Sequence, residues 1–119
     1  MCADAGIAPM GIHLNGDVDL VGDKLFKTLD FAAEAGFESI VSPHAHRKTE
    51  KGYVEFGRAM GKAADAAKAY GIKVGIHSTY HHFTTKFDGK SAWDVIYSEA
   101  SDSLQQQIDL GNTFNTGED

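Results

Sequence analysis

Residues 71–77, GIKVGIH, decide how this chain is read: a glycine turn, a short apolar run rich in β-branched residues, and a histidine at the end. A buried strand of a parallel sheet has this form, because both of its faces are covered and only its end meets solvent. Working outward, GIHL at 11–14, SIVS at 39–42 and QQQIDL at 105–110 read as strands of the same kind. Polar residues close the four strands at His13, His44, His77 and Asp109, which are 31, 33 and 32 residues apart by position, close to one strand–helix unit each.

Helical patterns fill the intervals. Leu25, Leu29, Ala32 and Ala33 recur at helical spacing before Gly36, a C-terminal cap. A second helix spans residues 53–70, with Gly57, Met60, Gly61, Ala64 and Ala67 on one side and Gly71 closing it. Its small residues allow close approach to a sheet. A third begins at Ser91, whose hydroxyl caps free amides while Asp94 reaches back, and Trp93, Ile96 and Tyr97 form its apolar side. Single helices between strands imply parallel pairing through crossover connections. The spacing predicts an α/β fold in one domain over residues 1–119, a partial (β/α)8 barrel of about four βα units. A flavodoxin-like open sheet has the same period, and the strand-end residues favour the barrel.

A complete (β/α)8 barrel takes about 250 residues, against 119 in this chain. The apolar content of 42% and charged content of 24% suit a globular domain. Eleven Lys and Arg against seventeen Asp and Glu give a net charge of −6, with no basic stripe, which argues against nucleic acid as a partner. The sole cysteine, Cys2, has no second thiol to pair with. No run approaches the ~18 apolar residues of a membrane span, and the N-terminus lacks a basic region followed by an apolar stretch. These features predict no membrane association and a cytoplasmic location.

All six histidines, His13, His44, His46, His77, His81 and His82, fall at or just after predicted strand ends. That edge carries the active site in parallel α/β folds. His77 and Asp109 end neighbouring strands, which lie about 5 Å apart in a sheet, near enough to share one metal ion or to form a hydrogen-bonded polar pair. Imidazole suits Zn, Mn, Fe or Co, and the carboxylate suits harder divalent ions. His81 and His82 are adjacent, so in an extended segment they point to opposite sides and at most one faces an ion. Phe83 and Phe87 in the loop 80–89 form an apolar wall or pack the loop. His13, His44 and His81 are candidate polyol contacts, while His46 reads as a solvated loop residue.

The segment GIKVGIHSTYHHFTTKFDGKSAWDVI (71–96), followed by QQQIDLGNTFNTGED (105–119), resembles the sugar phosphate isomerase/epimerase family of the xylose-isomerase-like TIM barrels. KTLDFAAEAGFESIVSP (27–43) is similar to the family's preceding helix and strand. Members carry a G-I-x-hydrophobic-G-Y-H-N-H segment, an E-F pair, a D-G turn and a D-x-G-N or D-x-G-H strand end. His77 takes the place of the first histidine of H-N-H, while Ser78 and Thr79 replace the asparagine and second histidine. His82 stands where the glutamate before Phe83 is expected. Asp109, Gly111 and Asn112 match D-x-G-N, whose aspartate is the family's usual metal ligand. The resemblance implies a divalent ion (Mn, Mg, Co or Zn) held by His77 and Asp109, Asn112 as a sugar contact, and His82 as a base in place of the glutamate. It implies a small sugar or keto sugar as substrate of an isomerase, epimerase or related keto-sugar lyase. The family completes its site with a histidine and a glutamate from later strands, so the chain reads as a truncated barrel segment, inactive alone and prone to form a homo-oligomer through open sheet edges. The alternative is a non-catalytic sugar-binding or structural remnant of the fold; an endonuclease of the same superfamily is disfavoured by the acidic charge.

Overall fold

The stripe Leu25, Leu29 and Ala32 is the buried face of helix α1 (Gly22–Ala35), whereas Ala33 turns out to solvent. Gly36 ends the helix in the left-handed region at φ 81°, and the amides of Gly36 and Phe37 donate to the carbonyls of Ala33 and Ala32. Glycine adopts that conformation without the strain a Cβ brings. The structure, a computed structural model, describes residues 3–43 and 46–117.

Four parallel strands, β1 (Gly11–His13), β2 (Ser39–Ser42), β3 (Lys73–His77) and β6 (Gln105–Gln107), form one sheet in the order β1-β2-β3-β6. The register aligns Ile12 with Ile40 and Ile40 with Val74, and places His77 beside Gln107. Each strand of this sheet lies next to the one before it, as in a barrel. A flavodoxin-like sheet instead places its first strand inside the order. The crossovers are α1, α2 (Glu50–Ala67) and a composite third connection. That connection contains α3 (Tyr80–Thr84), a hairpin of β4 (Lys86–Phe87) and β5 (Lys90–Ser91), and α4 (Ala92–Ser98).

The helix-facing side of the sheet makes the core. Ile40, Val74 and Ile76 are fully buried with Leu29, Met60, Ala63, Ala67 and Ile96. Each large side chain there contributes about 1.5–3 kcal/mol by leaving water. Gly57 lets α2 approach α4 closely: a Cβ at this position would lie 2.3 Å from the carbonyl oxygen of Ile96. The other face of the sheet carries exposed His13, Lys73, Gln105 and Gln107 and partly exposed Ser39 and His77.

Three local differences from the sequence reading have physical causes. Helix α2 starts at Glu50 rather than residue 53, because the Thr49 hydroxyl accepts the Gly52 amide at 3.1 Å, and its last turn tightens into a 3-10 turn at Lys68–Tyr70. The fourth strand stops at Gln107 instead of continuing to 110. Asp109 caps a short helix, α5 (Leu110–Phe114), accepting the Asn112 amide at 3.0 Å, and this local bond displaces the ladder. The segment 80–89, read as a loop, is α3 plus the hairpin, with Asp88 and Gly89 both at positive φ in its turn. The capping box at Ser91 and Asp94 is present as expected.

Candidate active site at the carboxyl edge of the sheet

His77 ends β3 and Asp109 follows β6, and the two side chains face each other with Nε2 and Oδ2 3.5 Å apart. Each is only partly exposed, at 25% and 37%. The Oε1 of Gln107, beside His77 in the register, lies 2.9 Å from His77 Nδ1. That oxygen can only accept, so Nδ1 carries a proton, and Nε2 is the ring nitrogen that faces Asp109. Either a proton on Nε2 or a cation can bridge this nitrogen and the carboxylate. Donation of one ring N–H to an amide carbonyl is also the support that a metal-ligating histidine receives.

Asp109 is held at its amide and at its carboxylate, and the two residues that hold it are themselves joined. Its amide donates to the Ser78 hydroxyl at 2.8 Å, its Oδ1 accepts from the Asn112 amide, and the Asn112 side chain donates to the Ser78 carbonyl at 3.3 Å. Ser78 itself is fully buried, and its amide continues the ladder to the Gln107 carbonyl at 2.9 Å. Oδ1 is thus engaged in the cap while Oδ2 is directed at His77. Sequence reading finds His77 and Asp109 but misses Gln107 and Ser78. The signal for Gln107 is its register beside His77, which becomes visible only once β3 and β6 are known to be neighbours.

The remaining expected site residues divide. His13 comes to the pair, its ring centroid 5.3 Å from that of His77. Asn112 is part of the Asp109 support, with its side-chain amide engaged by Ser78. His81 is exposed on α3, away from the pair, against the His46 ring at 4.2 Å. His44 lies outside the described residues. His82 departs from the expectation of a base at the rim. It is 1% exposed, its Nδ1 accepts the Thr79 amide at 3.1 Å, and its ring packs near Trp93 and Tyr53. The extended geometry assumed for residues 81 and 82 is a helical turn instead, and it sends His82 into the core as a cap.

A divalent ion fits the pair in part. His77 Nε2 and Asp109 Oδ2 supply one imidazole and one carboxylate donor, a set suited to borderline and hard divalent ions. Among the described residues, no group of three or more His, Cys, Asp or Glu converges, so further positions fall to water or to groups beyond these. No helix among the described residues is long and apolar enough to cross a membrane.

A model of the family described as Xylose isomerase-like TIM barrel matches residues 8–119. No curated protein matches the chain. Among solved structures, it is similar to a sugar phosphate isomerase/epimerase from Parabacteroides distasonis ATCC 8503, with a TM-score of 0.80 and 19% identity over 98% of this chain and 47% of that one. It is similar to an L-ribulose 3-epimerase, with a TM-score of 0.66 and 16% identity over 98% of this chain and 46% of that one. The TTHB071 protein from Thermus thermophilus, solved with ZnCl2 soaking, gives a TM-score of 0.59 and 18% identity over 87% of this chain and 47% of that one. The chain spans about half the length of these structures, and at such identities the likeness is one of fold.

Proposed function

The chain belongs to the xylose isomerase-like TIM barrel family, and from that membership we propose that the protein carrying it is a divalent-metal-dependent isomerase or epimerase of a sugar or sugar phosphate. The observation that carries the proposal is the convergence of His77 Nε2 and Asp109 Oδ2, 3.5 Å apart, with Gln107 fixing the imidazole and Ser78 and Asn112 fixing the carboxylate. His77 and Asp109 hold the ion. When bound there, a divalent ion polarises the carbonyl and adjacent hydroxyl of a keto sugar, lowering the cost of removing the proton on the carbon between them. His13, beside His77, hydrogen-bonds a sugar hydroxyl. The similar solved structures that are named as a sugar phosphate isomerase/epimerase and an L-ribulose 3-epimerase support the substrate class. The reading carries with it a cytoplasmic location and a small-molecule substrate.

The test is solvent-deuterium incorporation at the carbon next to the carbonyl, across a panel of ketoses and ketose phosphates, using the intact gene product with Mn2+. The proposal predicts incorporation that a chelator abolishes and Asp109→Asn suppresses. Incorporation indifferent to both changes, or none across the panel, rejects it. The second reading, a non-catalytic remnant, draws on the burial of His82 where the family carries a glutamate; metal-dependent turnover of any keto sugar rejects that one.

A further inference from the structure

A second histidine pair stands on the same rim and takes no part in the site above. His46, in the segment leading into α2, and His81, on α3, meet with ring centroids 4.2 Å apart and planes inclined at 57°. Both are exposed, and among the described residues neither ring nitrogen has a hydrogen-bond partner. Their backbones are anchored by the residues next to them. Arg47 is tied by an ion pair to Asp17 and lies over the Phe56 ring at 4.8 Å, while His82 is buried and caps α3. Tyr80 flanks His81 with a centroid separation of 5.4 Å. Two otherwise uncommitted imidazoles are thus brought together by separately fixed segments.

We propose that His46 and His81 form a separate site for a borderline divalent transition ion, Zn2+, Ni2+ or Cu2+, that clips the segment before α2 to α3. With metal–nitrogen bonds of about 2.0–2.1 Å, two ligating nitrogens at a tetrahedral angle lie about 3.4 Å apart. Two imidazoles on one ion stand about 5 Å apart by their ring centroids, so the rings, 4.2 Å apart here, bind it by swinging slightly outward. Imidazole donors without a carboxylate select the later first-row ions over Mg2+ and Ca2+, which prefer oxygen. No third His, Cys, Asp or Glu joins the pair among the described residues, so water completes the coordination and the ion exchanges readily.

Calorimetric titration of the protein with NiCl2, and separately with MgCl2, tests the site. The expected result is a Ni2+ binding event that survives in a His77→Ala/Asp109→Asn double variant and weakens by about tenfold or more in His46→Ala and in His81→Ala, as each removes one of two protein ligands. Mg2+ gives no such event. On the unaltered protein, Ni2+ should broaden the ring resonances of His46, His81 and Tyr80 before those of His77. Absence of any Ni2+ event, an event unchanged in His46→Ala and His81→Ala, or one lost only with His77 and Asp109 overturns the proposal. The last outcome assigns the ion to the other pair, so the two readings fail separately.

Discussion

Ser78→Ala removes one oxygen and should disturb both the fold and the site. The Ser78 hydroxyl accepts the Asp109 amide at 2.8 Å, and the serine is fully buried, so water does not simply take its place. A typical hydrogen bond contributes about 0.5–1.5 kcal/mol net, and a buried donor left unpaired costs about 1–3 kcal/mol. Asp109 is partly exposed, which lets water reach its amide in part and places the expected loss at about 1–2 kcal/mol. At this chain length that corresponds to roughly 5 °C in Tm per kcal/mol. The same substitution frees the turn that aims Oδ2 at His77 and should weaken Mn2+ binding, while the far sheet edge at β1 stays intact. Urea unfolding followed by circular dichroism gives the first quantity and Mn2+ titration the second. A variant as stable as wild type with undiminished Mn2+ affinity would refute the view that Ser78 holds the carboxylate.

Gly57→Ala should destabilise the chain by about 1–2 kcal/mol, because overpacking costs about 1–3 kcal/mol and the obstructing atom is the Ile96 carbonyl oxygen, at 2.3 Å from the added Cβ. Glycine to alanine inside a helix ordinarily gains about 1 kcal/mol, so a rise in Tm contradicts the close α2–α4 approach. Ser91→Ala should cost about 1 kcal/mol through loss of the α4 cap, read by the same denaturation assay. Asp94 adds a pH signature: hydrogen bonding from the Ser91 hydroxyl, the largest cause, holds its carboxyl below the ordinary carboxylate value. Its native pKa is therefore below its unfolded value, so its contribution is present above about pH 4 and is lost as pH falls through the native pKa. The stability gap between wild type and Asp94→Asn should shrink as the pH is lowered from about 5 toward ~3; a gap that widens contradicts the sign.

Much of the fold is legible because burial leaves a plain trace in the sequence, on both faces only at the middle of β2 and β3. The runs around Ile40 and Val74 are apolar throughout, and the helix stripes at Leu25 and Met60 have the expected period. The strand Gln105–Gln107, read with the others as a buried strand, is instead exposed along its length, because its three glutamines carry no apolar side chain to bury. Helix α3 escapes sequence reading because its cap uses a histidine, His82, in the position where Glu or Gln is the usual signal. The Asp88–Gly89 pair does carry a hairpin signature. At the site, chain spacing is enough to bring His77 and Asp109 together. The roles of Gln107 and Ser78 are not legible, because they depend on strand register and on which side of the sheet each residue faces.

The central claim is that His77 and Asp109 together hold a divalent ion, and Mn2+ calorimetry on wild type, His77→Ala and Asp109→Asn tests it most directly. Asparagine at 109 retains an oxygen that can accept the Asn112 amide, so the cap survives while the charge is removed. Saturable binding by wild type that is sharply weakened in both variants is the predicted result. Binding of equal strength in all three proteins, or none in wild type, contradicts the account.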